Sequence, residues 1–191
     1  MRKLKLQMQV SADGFVCGPN GETGWLVWNW DEGLKQFVRS ITMPVDHILL
    51  GRKLAEGFIP AWESQAKPGE RTEEMDAVNK MNNTPKTVFS RTMKTADWKN
   101  TTLAVGDFAD VITKMKQQPG SDIIAYGGVD FVSSLINAGL IDEYHLFINP
   151  AAIGKGRSIF KDINSQRKLK LVNAQSFECG IVVLSYGPLG S

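Results

Sequence analysis

Short apolar runs alternate with longer amphipathic stretches along most of this chain, and that alternation narrows the fold more than any other feature. Val45–Leu50, Lys86–Ser90, Thr101–Val105, Asp122–Tyr126 and Glu143–Ile148 read as strands. Between them apolar residues recur at helical spacing: Leu34, Phe37, Val38 and Ile41, then Met75, Val78 and Met81, then residues 108–116 and 129–137. Asp31 and Asp107 stand where helix N-caps belong. Strands separated by helices need crossover connections, so they pair in parallel with helices on both faces. Lys168–Ala174 and Cys179–Tyr186 break the rhythm as an antiparallel hairpin. The expected fold class is α/β: a mixed, mostly parallel sheet, helices on both faces and a C-terminal antiparallel hairpin. Pro60, Pro68 and Gly69 predict a loop over 57–70. Residues 1–186 are expected to form a single domain, with 187–191 (GPLGS) as a loose C-terminal tail.

Residues 3–10 alternate strictly, with Lys3, Lys5, Gln7 and Gln9 against Leu4, Leu6, Met8 and Val10. A central parallel strand is normally apolar on both faces. Gln7 and Gln9 therefore line a site, or this strand borders an interface.

Composition closes off several classes of partner. Lys+Arg 22 against Asp+Glu 20 is too balanced for a nucleic-acid footprint. No apolar run approaches the ~20 residues of a membrane span, and the basic N-terminus alternates instead of forming a secretory apolar block. Cys17 and Cys179 lack C-x-x-C spacing, which fits a reduced, cytoplasmic setting. His47 and His145 are isolated and read as structural, so no metal is expected.

The strong phosphate-binding motifs are missing. No G-x-x-x-x-G-K-[ST] occurs, no G-x-G-x-x-G follows the first strand, and no G-x-S-x-G elbow is present. Three strand-to-helix junctions remain: Gly51-Arg52-Lys53, Ser90-Arg91-Thr92 and Gly127-Gly128-Val129. In an open parallel sheet all three fall at the carboxyl ends of strands, where ligands bind. Helix N-termini there offer free N–H groups to phosphate, and Arg adds a permanent bidentate cation. Singly, each is an ordinary turn or surface charge; together they read as a dinucleotide phosphate site. Trp25, Trp28 and Trp30 form either a stacking wall for a flat heterocycle or a loop packed on the core.

The segments S-A-D-G-F-V-C-G, L-L-G-R-K, V-F-S-R-T and the long run from Ile124 to Phe160 carry a resemblance. In their order the chain resembles the dihydrofolate reductase family. It is closer still to the reductase domain of the bifunctional riboflavin-biosynthesis deaminase/reductase (the RibD C-terminal domain) and its stand-alone relatives. That resemblance implies an NADPH-dependent oxidoreductase acting on a small heterocyclic or pyrimidine-type substrate, as a 5-amino-6-(5-phosphoribosylamino)uracil reductase does. Gly51, Arg52 and Lys53, with Ser90, Arg91 and Thr92, would flank the adenosine and its 2′-phosphate. Gly127, Gly128 and Val129 would lie against the pyrophosphate, often with an unusual peptide bond; their alternative reading is helix–strand packing. Asp13 and Val16 would border the nicotinamide. The family's carboxylate near the first helix would fall to Asp31 or Glu32, unless these are plain helix-end charges. Lys155 and Arg157 would be the basic residues for a substrate phosphate. Trp62 and Trp98 read as structural. A homodimer is also implied. Two alternatives remain: a catalytically inactive NADPH-binding module and a true dihydrofolate reductase.

Overall fold

The computed structural model describes residues 1–67, 69–161 and 163–189. Its elements, in chain order, are β1 (Leu4–Ser11), α1 (Glu32–Thr42), β2 (His47–Gly51), α2 (Arg52–Ser64), α3 (Glu73–Asn83), β3 (Lys86–Phe89), β4 (Thr101–Leu103), α4 (Phe108–Gln117), β5 (Ile123–Tyr126), α5 (Val129–Asn137), β6 (Glu143–Asn149), β7 (Leu169–Ser176) and β8 (Val182–Pro188). The strands form one sheet in the order β4-β3-β2-β5-β1-β6-β8-β7. Neighbours from β4 to β6 are parallel, and β8 runs antiparallel to both β6 and β7. The fold is the mixed α/β sheet with a closing hairpin that the alternation predicts.

The two-residue period of the strands sorts the core into layers. Leu4, Leu6, Met8, Leu49, Ile123 and Ala125 point to the face that packs against Ile112 of α4 and Val132, Leu135 and Ile136 of α5. Ile48, Leu50, Ile124 and Val88 point the other way, toward Ala55 and Ile59 of α2 and Met81 of α3. Phe147 and Val183 meet Leu34 and Ile41 of α1 on this second face. The polar side of β1 lies between these last two clusters. There Lys5 is held by Asp122 at 3.1 Å, and Gln7 and Gln9 stay partly exposed, because no helix seals the sheet above them.

Two local expectations are corrected. The segment 57–70 is not all loop, since α2 continues through Pro60 to Ser64. The proline removes one helical hydrogen bond, but Ile59 is fully buried and Phe58 packs on Tyr126 at 5.2 Å, and this burial holds the helix together. The tail is not wholly loose either. Gly187 and Pro188 pair with Lys170 and Leu169, and the Leu189 N–H donates to the Lys168 carbonyl at 3.1 Å. Residues 190 and 191 lie outside the described residues.

Candidate functional site

A cleft of about 1560 Å3 opens along the carboxyl ends of the parallel strands, where a ligand site in such a sheet is expected. Its wall contains all three junctions together: Gly51, Arg52 and Lys53 after β2, Ser90, Arg91 and Thr92 after β3, and Gly127, Gly128 and Val129 after β5. Val16, Trp28 and Trp30 also line it.

Helix ends separate this wall from the rest of the molecule. The first N–H groups of any helix lack intrahelical partners and need an acceptor. In α1 the Asp31 carboxylate takes the Leu34 N–H at 2.9 Å; in α3 the Thr72 hydroxyl takes the Met75 N–H at 3.2 Å. In α4 the Asp107 carboxylate takes the Ala109 and Asp110 N–H groups at 2.9 and 3.2 Å. The helices α2 and α5 begin at Gly51 and Gly128, with no side-chain cap. Both open onto the cleft, so their unpaired donors and positive dipole ends face the space a ligand would fill.

Glycine is required at both ends. Gly128 has φ +91°, and a Cβ there would lie 3.7 Å from the Gly51 Cα. A Cβ on Gly51 would come within 2.8 Å of the Phe131 Cβ. The Phe131 ring stacks on Phe89 with centroids 4.9 Å apart. The geometry supports the packing reading of these glycines: bare backbone lets β2, β5 and α5 close up, and it leaves the amides at both helix starts uncovered by a side chain. The expected unusual peptide bond is absent, since no peptide among the described residues is cis.

Charge at this end is mostly basic. Arg52 pairs with Glu56 at 2.7 Å along its own helix, an exposed contact that a stronger anion can displace. Arg91 has no ion-pair partner among the described residues. Asp130, in the first turn of α5, draws in Arg157 and, at 3.9 Å, Lys53. Asp107 and Asp130 are the acids that line the cleft, and both stand at this basic end.

The other end is aromatic. Trp30 stacks on Phe147 at 6.3 Å and on Trp28 at 6.1 Å, and its indole N–H donates to the Val27 carbonyl. Phe58, Trp62 and Tyr126 face them across the cleft, with Gln7 and Gln9 between on β1. Burial pushes the Tyr126 phenol above its ordinary pKa, so it remains a neutral hydroxyl.

Four of the expected site residues stand elsewhere. Asp31 does not line the cleft: its second oxygen accepts the Cys179 N–H at 2.9 Å, tying α1 to the β7–β8 turn. Donation from Cys179 and Leu34 holds its carboxyl below the usual range. Glu32 points to solvent and pairs with Lys35 at 2.7 Å. Asp13 binds the Ser11 hydroxyl and the Ile153 and Gly154 N–H groups, clamping the loop after β1 to the segment after β6. The hydroxyl and these amides hold its carboxyl low. Trp25 does not line the cleft, and its indole nitrogen is buried and unpartnered among the described residues.

Of the two basic residues considered for a phosphate, Arg157 reaches the cleft and Lys155 does not. Trp62, expected to be structural, lines the site, whereas Trp98 packs into the α2–α3 core. Phe58, Tyr126 and Phe131 were not legible as site residues. The one available clue was that Tyr126 closes an apolar strand directly before a glycine pair.

The RibD C-terminal domain family model matches residues 2–183 of this chain. The chain belongs to the RibD C-terminal domain family. The Bacillus subtilis (strain 168) protein YyaP, itself uncharacterised, is 34% identical over 189 residues, 97% of this chain and 94% of YyaP. Among solved structures, a protein from Shewanella sp. PV-4 provisionally assigned to riboflavin biosynthesis superposes with a TM-score of 0.70 at 18% identity, with both chains fully covered. The Thermotoga maritima diaminohydroxyphosphoribosylaminopyrimidine deaminase/5-amino-6-(5-phosphoribosylamino)uracil reductase superposes at 0.68 and 16% identity, covering 98% of this chain and 56% of that one. The chain thus spans little more than half of the bifunctional protein. At these identities the superpositions establish the shared dihydrofolate-reductase-like fold. Among the described residues no helix is long and apolar enough to cross a membrane, and no cluster of metal-ligating side chains occurs.

Proposed function

We propose that this protein is a cytoplasmic, NADPH-dependent reductase of a small, flat, pyrimidine-type heterocycle. The observation that carries the reading is the pair of uncapped helix ends, α2 at Gly51 and α5 at Gly128, opening onto one cleft beside Arg52 and Arg91. These residues suit a dinucleotide. The amides at the start of α5 would bind the pyrophosphate, and Arg52, Arg91 and Ser90 would take the 2′-phosphate. Family membership and the Thermotoga maritima reductase support the same class.

When bound, the nicotinamide would supply a hydride to a C=N or C=O carbon of the substrate. The chain's own work is to bind, orient and exclude water. Trp30, Phe58 and Tyr126 wall the ring, and the clamp made by Asp13 holds the loop after β1 over the cleft. A second copy of the chain is part of the proposal. β7 is an edge strand, and its Leu171 and Val172 are 52% and 69% exposed. Light scattering should give twice the 21.1 kDa chain mass.

Parallel fluorescence titrations with NADPH and NADH test the cofactor. Saturable quenching, much tighter for NADPH, is expected; no binding of either removes the reading. A second reading, the same cleft without turnover, is favoured by one observation: among the described residues no carboxylate lines the aromatic end. Steady NADPH oxidation with a heterocyclic substrate would exclude it.

A further inference from the structure

The floor of the aromatic end is a polar strand face whose hydrogen bonds fix its direction. Asn149, at the end of β6, is fully buried. Its Oδ1 accepts the Val27 N–H at 3.0 Å, and a backbone N–H can only donate. Its Nδ2 must therefore be the end that faces Gln9 at 2.7 Å and the Phe147 carbonyl at 3.1 Å. Gln9 consequently meets Asn149 with its carbonyl oxygen, and its amide nitrogen is turned the other way. That nitrogen has no hydrogen-bond partner among the described residues, and it is not one of their buried unpartnered atoms, so it opens onto the cleft that Gln9 lines.

Gln7 lies two residues earlier on the same face. Its Oε1 is buried without a partner, and no hydrogen bond among the described residues fixes which way its amide turns. The oriented donor of the floor is therefore the Gln9 amide, set between aromatic walls. A ring carbonyl or another acceptor finds that donor already in place, whereas a ring amine there meets N–H against N–H.

We infer that Gln9 determines specificity, its amide N–H donating to a carbonyl-type acceptor on the ring, and that Asn149 is the positioning residue that holds Gln9 in this orientation. The inference rests on the reductase reading for which end of the cleft takes substrate. Asn149 also ties Val27 to β6, so one buried amide sets both the Trp28–Trp30 wall and the donor on the floor.

The test uses two fluorescent rings of the same shape, lumazine with two carbonyls and 2,4-diaminopteridine with two amines. The full-length protein is titrated with each, and with NADPH separately. Wild type should prefer lumazine. Gln9→Leu removes the donor and should weaken lumazine about tenfold, the scale of one directed hydrogen bond lost in a dry site. Gln9→Glu keeps an acceptor for Asn149 but presents a second acceptor to the cleft, so the preference should invert toward the diamine. Asn149→Asp still accepts from Val27 but offers Gln9 an acceptor in place of a donor, which turns the Gln9 oxygen to the cleft, so the selectivity should shift toward the diamine. NADPH affinity should stay within about twofold of wild type in the Gln9 variants, which also establishes that they fold. An unchanged lumazine preference in Gln9→Glu overturns the inference, as does a wild type that binds NADPH but neither ring. Selective ring binding without NADPH binding would instead remove the cofactor reading and leave this one standing.

Discussion

The N-termini of α1 and α5 are built from opposite solutions to one problem. Both helices start near the carboxyl edge of the sheet and leave amides without intrahelical acceptors. At α1 the chain supplies the acceptor itself: Asp31 binds Leu34 and Cys179, and both carboxylate oxygens are used. At α5 it supplies none, and Gly128 in a left-handed conformation brings the bare backbone to the cleft. α4 and α2 repeat the contrast. Asp107 borders the cleft but is already occupied with its own helix, whereas Gly51 starts α2 uncapped. A satisfied helix end is scaffold, whereas an unsatisfied one facing a cavity leaves donors that a ligand's oxygens would complete under the proposed function.

The largest expected effect comes from closing the unsatisfied end. Gly128→Ala forces a Cβ into φ +91° and toward Gly51. Strain of about 1–3 kcal/mol should move the first turn of α5, and NADPH binding should fall more than about tenfold on that scale in a fluorescence titration. Retention of full affinity would mean that the α5 end is packing and nothing else. Arg52→Ala comes next. It should weaken NADPH by about 1.5–3 kcal/mol, the range for a charge-assisted hydrogen bond, and leave NADH nearly unchanged. Equal losses for both cofactors would place Arg52 elsewhere than at the 2′-phosphate.

The same contrast explains what was legible in the sequence. Periodicity gives most of the element order, because most strands and helices expose a face through residue spacing, and Asp31 and Asp107 follow capping chemistry that is local. The junction glycines and arginines are also local features, and all three junctions meet in the cleft. Asp31 as a catalytic acid is different. The family resemblance offered that role, with a plain helix-end charge as the alternative, and the Cys179 amide that occupies its second oxygen lies 148 residues away. Asp13 is likewise taken by Ile153 and Gly154, a partnership no local pattern reveals. Phe58 and Trp62 stayed hidden because Pro60 reads as a helix breaker, and only burial against β5 and α3 keeps α2 going. The polar side of β1 was visible as an anomaly. Its meaning needed the sheet order, which puts that strand in the centre with the gap between α1 and α2 above it.

Asp31→Ala tests the satisfied end, and the expected effect is smaller and of a different kind. Thermal unfolding should shift down by about 2–4 °C, the scale of one lost cap in a domain of this size. NADPH affinity should not move. A collapse of cofactor binding without a change in melting temperature would reverse the assignment and make Asp31 a site residue after all.

The pH dependence sharpens this further, because two groups lose their contributions in separate windows. Asp31 has its folded pKa depressed by N–H donation from Cys179 and Leu34. Its contribution is therefore present above the unfolded value of 3.8 and lost as pH falls through the lower folded value. His47, whose ring nitrogen meets the Thr87 hydroxyl at 2.9 Å, is held neutral by burial and by Arg2, with its pKa lowered from 6.5 to about 4. The unfolded chain binds the proton first, so stability declines as pH falls from about 6.5 to about 4. Melting curves of wild type, His47→Gln and Asp31→Asn across pH 7 to 3 separate the two. His47→Gln should reduce the slope of the upper window, where His145, also lowered by burial, keeps its own share, and the gap between wild type and Asp31→Asn should narrow only below 3.8. An Asp31→Asn gap that closed already between pH 6.5 and 4 would mean that the carboxylate is not held by those two amides, and the contrast between the capped and uncapped helix ends would lose its best-defined member.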